Sequence, residues 1–264
     1  MSVLIFVLIL IALIWVHELG HFLAAKLFRI RVDEFSIGFP PRLFSKWIGE
    51  TRYSFGALLL GGYVNIFGEK AEEGRGDPRA LTSKSRPVQA AVVVAGVAFN
   101  LLFAWLVFSA GYLAGLPTSA DHKGWGEVRD PKAMVVGVLP DSPAARAGLE
   151  VEDVVVGVET GRGASLGKEL KAADVREFIR AHEDESILFT VLRGEEERVF
   201  LARAQAGIIE GRKAVGIEID DVGILQLPPH LALLEGSRLT ARVTTAVASG
   251  LASFLRNDNA QRDT

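Results

Sequence analysis

His17, Glu18 and His21 sit inside an apolar run that extends from Ser2 to Phe28. Residues four apart stand one turn apart on the same face of an α-helix, so His17 and His21 can grip one metal ion through their imidazoles. Glu18 lies beside them. In the H-E-x-x-H pattern the histidines bind zinc, and the glutamate takes a proton from the water that zinc activates. Zinc brings the pKa of that water to about 7, and the glutamate can then pass the proton to a leaving amine. Three ionisable groups in lipid are expensive without a partner, and a cation supplies one. The plainer alternative is a histidine pair used only for helix packing.

The elements that must position this trio are legible in the hydropathy pattern. The chain has 264 residues, 49% of them hydrophobic, and a formal charge of −3. Nothing in that balance points to nucleic acid. Cysteine is absent, so any metal must take histidine and carboxylate ligands. The first apolar stretch, residues 1–28, is long enough to cross a ~30 Å hydrocarbon core. It lacks the basic start and small-residue cleavage site of a signal peptide, so it reads as a retained membrane helix. A second span is expected over 87–117, opened by Pro87 and closed by Pro117, with Asn100 as its strongly polar interior residue. The loop between them is rich in Lys and Arg. The positive-inside rule therefore places it in the cytoplasm, with the N-terminus and everything after Leu116 outside.

The loop, 29–86, carries strand patterns. Ile30, Val32, Glu34, Ile37 and Phe39 alternate around polar residues, and "TRYSFGALLLGGYVNIFGE" reads as further strands around Gly61 and Gly62. Two compatible readings stand: a sheet at the membrane surface that steadies the helices, or an edge that pairs with an extended peptide. "GEKAEEGRGDPRALTSKS" reads as mobile. From 130 to 205 the texture is that of a soluble α/β domain: a strand, a turn at Pro140–Pro143, a short helix stopped by Gly148, a helix over 174–181 and a hairpin with Gly194 near its turn. Residues 228–256 read as an amphipathic helix on the membrane, followed by a polar tail.

The chain resembles site-2 proteases, intramembrane zinc metalloproteases, of the bacterial regulator-of-sigma-E protease type. The resemblance rests on "HELGHFLAAK", "VDEFSIGFPPRLF", "YSFGALLLGGYVNIFGE" and "SKSRPVQAAVVVAGVAFNLLFA", in that order, followed by a domain that resembles a PDZ domain through "SPAARAGL". It implies an α+β, polytopic membrane protein with a membrane-associated β-hairpin region and an extracytoplasmic PDZ-like domain. It also implies Zn2+ held by His17 and His21, Glu18 as acid/base, and Asn100, Gly61, Gly62 and Tyr63 as substrate-binding residues. For Asn100 a plain interhelical hydrogen bond is the alternative, and for the PDZ-like domain a mixed α/β domain without a binding role. Expected partners are single-span membrane proteins such as anti-sigma factors or remnant signal peptides, the lipid bilayer, and a peptide or C-terminus at the PDZ-like domain. The expected place is a bacterial inner membrane.

Three departures from the pattern stand out. Val97 follows Gly96 where the family has Pro, and Asn65 stands where it has Lys. The family's third zinc ligand, an aspartate within Leu-Asp-Gly in a later helix, has no counterpart, since Asp258 and Asp263 fall in the polar tail. Catalytic zinc normally has three protein ligands. The expectation is therefore an N-terminal portion of such a protease that is inactive by itself. The competing expectation is a non-catalytic, membrane-tethered peptide-binding protein with a vestigial zinc motif.

Overall fold

Helix α1 runs over Ser2–Leu27 and helix α2 over Arg86–Ala114. The computed structural model describes residues 2–70, 74, 76–167, 169–209 and 212–262. Both helices are long and apolar enough to cross a membrane, and most of their large apolar side chains stand exposed. In water that exposure would forfeit about 25 cal/mol per Å², so lipid is the solvent these surfaces suit. At the end of α1, Arg29 adopts φ 54 and the Ile30 N–H donates to the Ala25 carbonyl at 2.8 Å. That closes the helix as a left-handed cap does and turns the chain into a sheet.

The chain divides into two units, Met1–Phe108 with Gly236–Thr264, and Ser109–Glu235. In the first, β1 (Val32–Ile48) pairs with β2 (Thr51–Ile66), and both strands fold back on themselves. Glu34 to Ile37 are matched twice, to Asn65–Gly62 and to Arg52–Phe55. A small core of Ala25, Ile30, Val32, Ile66 and Val92 ties this sheet to both helices.

The alternation expected in β1 holds through Ile30, Val32 and Glu34 and is corrected beyond them. Its buried row is Val32, Glu34, Ser36 and Gly38, whereas Ile37 is only half-buried and Phe39 is exposed. A carboxylate can occupy a buried row because its partners arrive with it. Arg42 bonds Glu34 through Nε and Nη2 at 2.8 and 2.9 Å, and Arg52 and Ser54 each donate at 2.6 Å. Burial pushes the Glu34 pKa up, but these bonds outweigh it and hold it at about 2.

The segment expected to be mobile is in part fixed. Arg31 N–H donates to the Arg79 carbonyl, Leu81 N–H donates to the Phe67 carbonyl, and Ala80 is fully buried. Residues 71–73 and 75 lie outside the described residues.

In the second unit a sheet runs β3 (Leu116–Ser119), β11 (Ile217–Leu225), β4 (Arg129–Val138), β5 (Val154–Thr160), β7 (Ser186–Arg193), β8 (Glu196–Arg203), with β6 (Ser165–Gly167) on β5. It takes in strands on either side of 130–205. A separate pair is β9 (Gln205–Ile209) with β10 (Arg212–Ala214). Helix α3 (Pro143–Ala147) is capped by the Ser142 hydroxyl and stopped by Gly148 at φ 93. Helix α4 (Ala172–Ala181) lies against β4 and β11 and buries Ala172, Val175 and Phe178 in the core that also holds Val135 of β4, Ile219 of β11 and Ile187, Phe189 and Val191 of β7. Strand and helix periods thus meet in one core.

Helix α5 spans Pro229–Arg262, longer than the expected 228–256. The stretch after Leu255 contains no Gly or Pro to stop it. Asp258 falls on this helix and Asp263 lies outside the described residues.

Candidate active site

The first unit brings the expected trio together with α2 and β2. His17 and His21 meet edge to face, with ring centroids 4.7 Å apart. Both Nε2 atoms converge on Gly96 of α2. A Cβ added at Gly96 would lie 2.5 Å from Nε2 of His21 and 2.6 Å from Nε2 of His17. The helices can come this close because Gly20 likewise faces α2, where a Cβ would meet the Ala95 carbonyl oxygen at 2.6 Å. Small residues at such a crossing let backbones approach inside lipid.

The hydrogen bonds around the imidazoles decide what they offer. His21 Nδ1 lies 2.7 Å from the Val92 carbonyl oxygen. A carbonyl accepts only, so Nδ1 carries the proton and Nε2 keeps its lone pair. His17 Nδ1 lies 3.4 Å from Asn100 Nδ2, while Asn100 Oδ1 is buried without a partner. Turning the carboxamide over brings Oδ1 to His17 Nδ1–H. That satisfies the orphaned oxygen and frees Nε2 of His17 as well.

Two Nε2 atoms beside one space that a methyl group would fill are two of the three protein donors a catalytic zinc normally takes. The two histidines fit the ion as far as they go. Among the described residues, no three or more His, Cys, Asp or Glu side chains gather as a metal site would need. The carboxylate of Glu18 is engaged elsewhere: its Oε2 accepts the Val64 N–H of β2 at 3.0 Å.

Of the expected substrate-binding residues, Gly61 and Gly62 lie on the same strand against α1. The Gly61 carbonyl accepts Trp15 Nε1–H at 3.0 Å. Tyr63 stacks on Phe39, with centroids 6.3 Å apart, and its hydroxyl lies 3.5 Å from Arg42 Nη2. Asn100 stands against His17. Sequence reasoning missed Trp15, Val64, Val92 and the position of Gly96. The "GG" on β2 and the small residues Gly20 and Gly96 within the two apolar helices were the signals available for close backbone approach.

The family model for peptidase family M50, the site-2 protease family, matches residues 5–262. The chain belongs to that family. M50 relatives named as candidate zinc metalloproteases include one from Clostridium perfringens, 41% identical over 54% of this chain and 38% of its own length. Another, from Nostoc, is 34% identical over 74% of this chain and 52% of its own length. A third, from Mesorhizobium japonicum, is 31% identical over 83% of this chain and 59% of its own. The chain thus spans roughly half the length of these M50 relatives.

Proposed function

We propose that this M50 protein is an intramembrane zinc endopeptidase acting on single-span membrane proteins. The observation that carries the reading is the convergence of both histidine Nε2 atoms on Gly96, between two apolar helices. His17 and His21 would hold Zn2+, which when bound acidifies water and polarises a carbonyl. Glu18 takes the proton from the attacking water and delivers it to the leaving amine. Asn100 orients His17 and offers an amide to the unwound substrate backbone. The substrate must be extended near Gly61–Tyr63, because helical hydrogen bonds shield a scissile carbonyl. Anti-sigma factors and remnant signal peptides have that single-span character.

The reading extends to topology and to the second unit. The loop bearing β1 and β2 lies in the cytoplasm, and Ser109–Glu235 lies outside a bacterial inner membrane. That unit acts as a PDZ-like module for a peptide or C-terminus. In support, β3 covers only Val222–Leu225 of β11. Beside the other end of β11 is a cavity of about 160 Å³ whose lining includes Arg176, Ile179, Arg180, Lys213, Ile217 and Ile219. The open strand end and apolar floor suit an extended peptide, and Arg176 and Arg180 its terminal carboxylate, with Glu183 also in the lining and Lys213 paired to Asp184.

The described residues supply two zinc donors, so this reading includes that the 264-residue chain does not cleave by itself. That same shortage favours a second reading, a membrane-tethered peptide-binding protein with a vestigial site. Metal analysis separates them. The purified chain is expected to carry zinc, and His17→Ala is expected to lose most of it. Equal retention by both would sink the ligand assignment, and no zinc in either would favour the vestigial reading.

A further inference from the structure

Helix α1 and strand β2 are joined at two points. Trp15 donates from Nε1 to the Gly61 carbonyl at 3.0 Å, and the Val64 N–H donates to Glu18 Oε2 at 3.0 Å. Trp15 and Glu18 are three apart and so share one face of the helix. Gly61 and Val64 are three apart on the strand. The indole also borders Gly62, for a Cβ added there would lie 3.6 Å from Trp15 Cδ1. At Gly61 a Cβ would strike the Phe39 ring at 2.8 Å. The glycines therefore let β2 sit close to β1, where a Cβ at Gly62 would also meet the Ser36 carbonyl oxygen at 2.7 Å. Helix α1 lies in ordinary contact, and the indole fixes where along the helix the strand sits.

We infer that Trp15 is a positioning residue for Glu18, acting through strand β2. The Val64 N–H occupies Oε2 of Glu18, which leaves the acid/base role proposed for this carboxylate to Oε1. If β2 slides or lifts, that carboxylate loses its anchor and gains rotamers. The Trp15 bond to Gly61 holds the strand in the register that presents Val64. Gly62 and Tyr63, proposed with Gly61 to meet substrate, lie between the two anchors, so substrate and acid/base share one strand. The inference rests on the reading of Glu18 as the acid/base.

The test uses Trp15→Phe and replacement of Trp15 by benzothienylalanine, which keeps the bicyclic shape and lacks the N–H. In the 264-residue chain in detergent micelles, amide exchange at Val64 is expected to rise about 5-fold or more in both, with zinc content unchanged. Where the protein cleaves a single-span membrane peptide, both replacements are expected to lower kcat about 10-fold, with a smaller change in KM because β2 stays paired to β1. Unchanged Val64 exchange, zinc loss in both variants, or a change in KM alone would each overturn the inference. Undiminished cleavage by Glu18→Gln is a separate failure: it would remove the acid/base reading itself, and this inference with it.

Discussion

His21 holds the Val92 carbonyl through Nδ1 at 2.7 Å, so one helix fixes the tautomer of a side chain borne by the other. Val92 and Gly96 are one turn apart on α2. The same face of α2 thus supplies the acceptor behind the His21 ring and the clearance in front of it.

Gly96→Ala follows from that clearance. The added methyl would fall within 2.6 Å of both Nε2 atoms, well inside any real contact. Zinc content of the purified chain is expected to drop at least 10-fold, while helicity by circular dichroism stays near wild type because Ala is the better helix former. Full zinc retention would show that the metal is bound elsewhere.

The orientation of Asn100 gives a two-sided expectation. If Oδ1 accepts from His17 Nδ1–H, Asn100→Asp keeps the acceptor and retains zinc, whereas Asn100→Leu weakens zinc binding by about 10- to 100-fold. If Nδ2 were the required donor, Asp and Leu would fail alike. Zinc titration of the two variants decides it.

The absence of cysteine makes topology directly measurable. Lys70 lies in the loop between the spans, and Glu195 sits in the exposed turn between β7 and β8. In intact spheroplasts a membrane-impermeant maleimide is expected to label Glu195→Cys at once. Lys70→Cys should label only after permeabilisation. Labelling of both, or the reverse order, would overturn the proposed orientation.

Much of this was legible in the residues. The two apolar helices followed from length and hydropathy, α3 from the turn before it and the stop at Gly148, and α4 was expected over 174–181, two residues short of its start at Ala172. The spacing of His17 and His21 announced their common face. What stayed hidden was long-range. Glu34 was placed in the alternating row, but what lets a carboxylate be buried there could not be read, because its partners Arg42, Arg52 and Ser54 are brought in only by the fold-back of β1 and β2. Alternation arithmetic assumed that apolar side chains choose the face. Here a satisfied carboxylate and the turn at Gly38, φ 86, chose it. Gly96 read as one more small residue in a helix, since nothing local shows that two imidazoles point at it.

Glu34 also makes the sheet acid-sensitive in a defined window. Its folded pKa of about 2 lies below the ordinary 4.5, so the native state prefers the charged form. The stabilisation is therefore complete above about pH 5.5, declines as the carboxyl of the unfolded chain protonates, and is gone below about pH 2. A depression of that size corresponds to about 3 kcal/mol for this almost fully buried group. Arg52 connects the network to an optical reporter, since its guanidinium lies 5.5 Å from the centre of the Trp47 ring. Lowering the pH is expected to shift Trp47 emission as the Arg52 contact loosens, and Glu34→Gln is expected to abolish that component while other carboxylates titrate as before. At pH 7 the Gln variant should be less stable by about 3 kcal/mol, because two arginines lose the charge they surround. Near pH 2 the two proteins should converge. A Gln variant equally stable at pH 7 would show that the buried pair contributes nothing net to the sheet.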